Sequence, residues 1–293
     1  MAPKRVDLSD EARRNYEMAS NGTFEDRRKA HKEAKVGLAE GDSWFDYQLA
    51  YVEDPLRGDL LGHLQHSRDY VIYRVSHAGD TLENMIYGSR HGRPPACKVE
   101  QPQIVKTFQA MHKVEPQFLL FSGGGNDIAG DELRALLNHA MSGLPLLRKE
   151  VVDYIFDVVM LESFKDLIHK LRIAARDFNP DIPVFFHGYD YAIPDGRGVD
   201  LLIPGWTITG PWLKPAFASK HITEEFQCKK IINHLIDRFN GMLQTVAAEN
   251  DNVYYIDLRG TLGPGDWANE LHPTAKGFGK VADKFLHALG AVL

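Results

Sequence analysis

Short apolar runs alternate with longer stretches of helical period along this chain. Five runs stand out: Val36 to Gly41, Tyr70 to Ser76, Phe118 to Phe121, Ile182 to Phe186 and Val253 to Asp257. Turn-forming residues bound them, and their β-branched and aromatic content marks them as strands. Phe118 to Phe121 is apolar throughout, as a central parallel strand must be. Between the runs, Gln103 to His112, Val151 to Asp177, Ile222 to Glu249 and Thr274 to Leu293 read as helices. In the second of these, Val151, Ile155, Val158, Val159, Phe164, Ile168 and Leu171 fall at helical spacing. Asp54-Pro55 has the order of a cap and first-turn proline, which predicts a helix to about Ser67. A short helix is expected after Thr81. Strands alternating with helices predict an α/β fold with about five parallel strands and helices on both faces, joined right-handedly.

Two segments depart from this rhythm. Ser9 to Ala34 is rich in Arg, Lys and Glu, with Ser9 and Thr23 placed as helix caps before acidic residues. It predicts an N-terminal helical extension, residues 1–34, exposed to solvent as a pair of surface helices. Residues 35–293 then form a single domain. Tyr189 to Pro215 is rich in Pro, Gly and aromatics without period, a long loop insertion (189–215) of the kind that serves binding.

Composition narrows the partners. The chain has 293 residues, 44% hydrophobic and 25% charged, with a formal net charge of -6. That balance speaks against nucleic acid or an anionic membrane as the main partner. No apolar run reaches the length of a membrane span, and the first residues contain no apolar signal core. Cys97 and Cys228 stand far apart and read as unpaired thiols. A cytoplasmic protein with no membrane span is expected.

In a parallel sheet the strand ends lie along one edge, where open α/β sheets place their chemistry. Polar, Gly-bearing turns close four of the predicted strands: Gly41-Asp42-Ser43, His77-Ala78-Gly79, Gly123 to Asp127 and His187-Gly188. Any one alone is a turn. Together they converge on one cleft, and Ser43 becomes a candidate nucleophile. His272, fixed before Pro273 in the last loop, is a candidate base, and His187 follows the fourth strand beside the cleft. The backbone N–H groups of Ser43 and Gly79 and the side-chain amide of Asn126 are candidate oxyanion donors. The glycine run lacks the Gly-Lys-Ser/Thr of a phosphate loop, and the scattered histidines show no metal-ligand spacing.

Gly41-Asp42-Ser43, the isolated Gly79, Gly124-Gly125-Asn126-Asp127 and His272-Pro273 resemble, in order, the sequence blocks of the SGNH (GDSL-type) hydrolases. The resemblance spans Leu38 to His272. It implies a flavodoxin-like three-layer α/β/α sandwich and hydrolysis of esters or related acyl compounds. It also implies Ser43 as nucleophile, His272 as base, and Gly79 and Asn126 in the oxyanion hole. Trp44 stands where the family's motif has Leu. Asn269 stands three residues before the His, where the family has Asp. Asn269 is the expected orienter of His272, since an amide oxygen can also accept from Nδ1–H, with Asp266 in reserve and Glu270 expected to point away.

The expected function is hydrolysis of small-molecule carboxylic esters with short to medium acyl groups, requiring neither metal nor organic cofactor. A sugar O-acetyl ester or thioester on the same site is the alternative substrate. The missing carboxylate motivates another alternative, a non-catalytic binding module on the hydrolase scaffold. Tyr189, Tyr191, Trp206 and Trp212 line either an acyl or leaving-group pocket or the loop's own small core. Trp44, Tyr189 and Trp206 are the candidate pocket residues.

Overall fold

The computed structural model describes residues 24–88, 102–200 and 207–293. Trp206 and Cys97 lie outside the described residues, as does most of the predicted N-terminal helix pair. The strands are β1 (Lys35–Gly41), β2 (Tyr70–Arg74), β3 (Phe118–Ser122), β4 (Val184–His187) and β7 (Val253–Ile256). They form one sheet in the order β2-β1-β3-β4-β7, parallel throughout. A separate antiparallel ribbon, β5 (Val199–Asp200) with β6 (Thr207–Thr209), lies in the 189–215 segment.

The described helices of the domain are α1 (Ala50–Glu53), α2 (Leu60–His66), α3 (Leu82–Tyr87), α4 (Gln103–Val114), α5 (Asp131–Leu136), α6 (Lys149–Tyr154), α7 (Leu161–Ala175), α8 (Lys214–Ser219), α9 (Glu225–Ala248) and α10 (Ala275–Val292). From β1 the chain steps to β2 on one side, whereas later crossovers step the other way. Right-handed connections therefore send α2 to one face and α4, α7 and α9 to the other. The terminal α10 packs beside α2, and α7 packs between α4 and α9. The result is a three-layer α/β/α, flavodoxin-like sandwich. Its middle is dense with aromatic rings: Phe164 meets Phe121, Phe186 and Phe239 at centroid distances of 5.1–6.2 Å.

Three local expectations fail for physical reasons. The helix predicted from Asp54-Pro55 begins only at Leu60, where the side chain of Asp59 accepts from Gly62 N–H at 3.0 Å. Asp59 is also held by both terminal nitrogens of Arg74, at 2.7 and 2.8 Å. That buried pair with β2 selects the start, and Asp54 caps only a turn through Leu56 N–H and Arg57 N–H. Second, the long helix from residue 149 contains a π-helical turn at Ile155–Met160. The wider turn rotates the apolar face, burying Val152, Phe156 and Met160 and leaving Val151, Val158 and Val159 exposed. Third, residues 24–30 are helical but not wholly solvated: Phe24 is buried edge-on against Tyr73. Among the described residues, no helix is long and apolar enough to cross a membrane.

Candidate active site

Ser43 is the second residue past β1 and is half-buried. Its turn is compressed against β3, because Gly41 pairs with Ser122 in register. A Cβ at Gly41 would stand 2.7 Å from both the Cβ and the carbonyl oxygen of Ser122. The next residue, Asp42, is buried and acts as the staple of the turn. Its Oδ1 accepts from Trp44 N–H at 3.0 Å and Ser122 Oγ at 2.8 Å, and its Oδ2 accepts from Tyr189 Oη at 2.5 Å. Burial pushes the Asp42 carboxyl above its ordinary range, against these three hydrogen bonds.

His272 arrives from the other end of the chain. Its Nε2 lies 2.7 Å from Ser43 Oγ, and its Nδ1 lies 2.9 Å from Asn269 Oδ1. Residues 266–274 hold this geometry through their own backbone: Trp267 and Pro273 form an isolated bridge, and Thr274 caps α10 through Gly277 N–H. Tyr47 stacks on the imidazole at 4.3 Å with planes 7° apart, and Trp212 meets it edge-on at 5.4 Å. Burial among these rings lowers the His272 pKa to about 3, so the imidazole is neutral at physiological pH.

The orientation of the Asn269 amide is fixed by its neighbours. Oδ1 also accepts from Leu271 N–H at 3.0 Å and His272 N–H at 2.9 Å, while Nδ2 donates to Tyr47 Oη at 2.9 Å. Turning the amide over would aim its NH2 group at two backbone donors, leaving buried groups unpaired at about 1–3 kcal/mol each. The oxygen therefore faces His272, the proton stays on Nδ1, and Nε2 presents its lone pair to Ser43.

Asp266, the reserve acceptor expected from the sequence, is elsewhere. Its Oδ2 accepts from Gly263 N–H at 2.8 Å and Lys280 Nζ at 2.6 Å, and the Lys280 ammonium holds its carboxyl below the usual range. Glu270 does point away from the imidazole. It is fully buried, and its two oxygens accept from the backbone N–H groups of Gly196, Trp212, Leu213 and Lys214 at 2.6–3.0 Å. This carboxylate fastens the described parts of the 189–215 segment to the loop that carries His272.

Gly79 lies in an exposed turn after β2, at φ +88°, where a side chain would be strained. His77 N–H donates to Gly41 O at 2.7 Å, which holds that turn beside the end of β1. Asn126 donates through Nδ2 to Asp80 O at 2.9 Å and carries a second hydrogen on the same nitrogen. Ser43, Trp44, Asn126 and Tyr189 border one pocket, with Leu213 and Ile232, Leu235 and Ile236 of α9. His187 is not beside this cleft but behind it, buried against Trp44, Phe45, Tyr189 and Phe285.

Sequence reasoning missed Tyr47, the staple role of Asp42, the clamp role of Glu270 and the α9 wall of the pocket. Asp42 sat within the singled-out turn. The other roles carried no local signal, since they depend on partners dozens to hundreds of residues away.

No family model matches this sequence, and neither does any curated protein. Solved structures do. A lipase from a goat rumen metagenome superposes at TM-score 0.51 with 12% identity, over 87% of this chain and 97% of that one. The family 3 carbohydrate esterase of Clostridium thermocellum gives 0.44 at 13% identity, over 88% and 98%. The psychrotrophic esterase EstA of Pseudoalteromonas sp. gives 0.47 at 15%, over 88% and 97%. At such identities the likeness is one of architecture: this chain has the fold of the SGNH (GDSL-type) hydrolases.

Proposed function

We propose that this protein is a carboxylic ester hydrolase working through an acyl-enzyme on Ser43. The observation that carries the reading is the line from Asn269 Oδ1 through His272 to Ser43 Oγ, at 2.9 and 2.7 Å. Neutral His272 takes the Ser43 proton on Nε2 as Oγ attacks the ester carbonyl carbon. The tetrahedral oxyanion is met by Ser43 N–H, Gly79 N–H and the free hydrogen of Asn126 Nδ2. One such donor is worth on the order of 3 kcal/mol in the barrier. Collapse breaks the bond to the leaving oxygen, which receives the proton from His272. Water then repeats the sequence, with His272 as base and Ser43 as leaving group, and releases the acid.

Burial makes the imidazolium costly, so it forms only while the oxyanion beside it carries the opposite charge. Asn269 fixes the tautomer without supplying charge, and Tyr47 holds Asn269. Kinship of fold with a lipase supports the ester class. The test pairs turnover of a p-nitrophenyl ester with fluorophosphonate labelling. Wild type should do both, whereas Ser43→Ala should lose both and keep its thermal transition. Turnover that survives in Ser43→Ala refutes the mechanism. A folded wild type that neither turns over nor labels is instead a binding module on this scaffold.

A further inference from the structure

Ser43 and Asn126 stand on turns that leave adjacent strands. Gly41 at the end of β1 pairs with Ser122 at the end of β3, and the backbone ladder between them reaches Asp42 N–H on Ser122 O at 2.9 Å. Both side chains lie past that bond. Something other than the sheet must set the gap between the Ser43 hydroxyl and the Asn126 amide.

Tyr189 spans it. Its Oη donates to Asp42 Oδ2 at 2.5 Å and accepts from Gly125 N–H at 3.3 Å. A phenol has one hydrogen to give and lone pairs to receive, so one oxygen serves both turns. Asp42 directly precedes Ser43, and Gly125 directly precedes Asn126. Burial and the Asp42 carboxylate push the phenol well above its ordinary range, so it keeps the hydrogen that it donates. The approach is close: a Cβ on Gly125 would stand 2.8 Å from Cζ and 3.1 Å from Oη of this ring.

The ring is itself held. It stacks on Phe239 of α9 at 5.5 Å and meets Trp44 and His187 edge-on at 5.1 and 5.2 Å. Behind it, Tyr189 O accepts from Asn240 Nδ2 at 3.1 Å, and Asn240 Oδ1 accepts from Tyr255 Oη at 2.5 Å. α9 and β7 thus fix the phenol from the far side. The ring borders the pocket, but its hydroxyl is engaged by the two turns.

We infer that Tyr189 is a positioning residue whose hydroxyl sets the distance between the Ser43 nucleophile and the Asn126 amide, and that it acts on the reaction through Asn126. The inference rests on the acyl-enzyme reading above and deepens it. Without that oxygen Gly125 N–H loses its acceptor, and the turn that carries Asn126 can shift against Ser43. A misplacement of about 1 Å costs on the order of 10²-fold in rate. The loss falls on kcat, because the amide meets charge that develops only in the transition state.

The test is hydrolysis of p-nitrophenyl butyrate by wild type, Tyr189→Phe, Asn126→Ala and the double variant, with fluorophosphonate labelling of wild-type Ser43 alongside. Tyr189→Phe keeps the ring and removes one oxygen. It should lower kcat about thirtyfold and hold KM within about twofold. The inhibition constant of butylboronic acid, which forms a tetrahedral adduct on a serine Oγ, should rise by a similar factor. In the Asn126→Ala background the same change should cost less than about threefold, because the group it positions is gone. Asp42→Asn offers the phenol an NH2 group in place of its acceptor. It should lower kcat likewise and be as silent in the Asn126→Ala background, which guards against a Tyr189→Phe that fails to fold. A loss that repeats in full in that background, a raised KM with kcat unchanged, or unaltered kinetics overturns the positioning role and leaves ester hydrolysis standing. Wild type that neither cleaves the ester nor labels overturns both.

Discussion

Replacing Asn269 by Asp changes one atom of the site and nearly all of its electrostatics. The new carboxylate has the same shape. One oxygen keeps the three donors now held by Oδ1, and the other meets Tyr47 Oη, which accepts from the amide today. A hydroxyl can turn from acceptor to donor, so no buried group loses its partner and the fold should be retained. What changes is the stability of the imidazolium. Opposite unit charges about 4 Å apart attract by about 4 kcal/mol at the effective dielectric of protein sites. At about 1.4 kcal/mol per pKa unit, His272 would rise about three units from its present value of about 3. Desolvation of the added carboxylate trims this, leaving a pKa between about 5 and about 6.

Two readouts follow. The kcat/KM profile of Asn269→Asp should acquire an acid limb of unit slope near pH 5.5, by the shift just worked. The wild type has no such limb in that range, because its base is already neutral there. If half the gain is expressed in the transition state, about 2 kcal/mol, kcat at neutral pH should rise by about thirtyfold. Hydrolysis of p-nitrophenyl butyrate from pH 4.5 to 9 measures both. A folded variant with unchanged kcat and no new limb would mean that Asn269 does not govern the proton on His272. A folded variant slower than wild type would mean that the charge is wrongly placed for the reaction.

Other perturbations separate the supporting parts. Tyr47→Phe keeps the stack on His272 but strips Asn269 Nδ2 of its acceptor; kcat should fall about tenfold and stability by about 1–3 kcal/mol, and unchanged steady-state kinetics would deny Tyr47 a positioning role. Glu270→Gln sets an NH2 group against N–H donors that now meet a carboxylate, which should cost about 3 kcal/mol in thermal unfolding. It should also raise KM more than it lowers kcat, because Leu213 lines the pocket; an unshifted transition would refute the clamp. His187 is buried with its pKa lowered to about 4 by desolvation, so below about pH 6.5 the unfolded chain binds a proton that the folded chain refuses, and stability falls by about 1.4 kcal/mol per pH unit down to about pH 4. The stability difference between His187→Phe and wild type should be flat above pH 7 and move in the variant's favour as pH drops through that window; a constant difference would contradict the burial.

What the sequence disclosed was whatever its own periodicity and turns encode. All five sheet strands were legible, because each is a short apolar run closed by glycine or a polar turn. Boundaries failed where a distant charge decides them. Nothing near Asp54-Pro55 announces that Asp59 is drawn to Arg74 and starts the helix instead. The face of the 149–175 helix failed for another reason: a count at 3.6 residues per turn cannot foresee the π turn at Ile155–Met160. Likewise the α9 side chains that wall the pocket looked like any apolar helix stripe, since a core face and a pocket face have the same spacing.

The His272 acceptor shows most plainly where local reading ends. The sequence offered an amide at 269 as the expected orienter and a carboxylate at 266 in reserve, the latter alone able to offset the imidazolium charge. The choice is made by surroundings that no local pattern contains. Lys280, one turn into α10, neutralises Asp266 and holds it near Gly263. Tyr47, 222 positions away from Asn269, accepts an amide hydrogen and so turns the amide oxygen toward the ring. An unrestrained asparagine could present either end to a histidine, and one orientation would put the proton on the wrong nitrogen. Here two backbone donors and one phenol oxygen leave a single orientation satisfied. The loss of the carboxylate thus removes charge from the site without removing direction, which is why substitution at 269 and at 47 should perturb different quantities, the pH profile for the first and the rate with stability for the second.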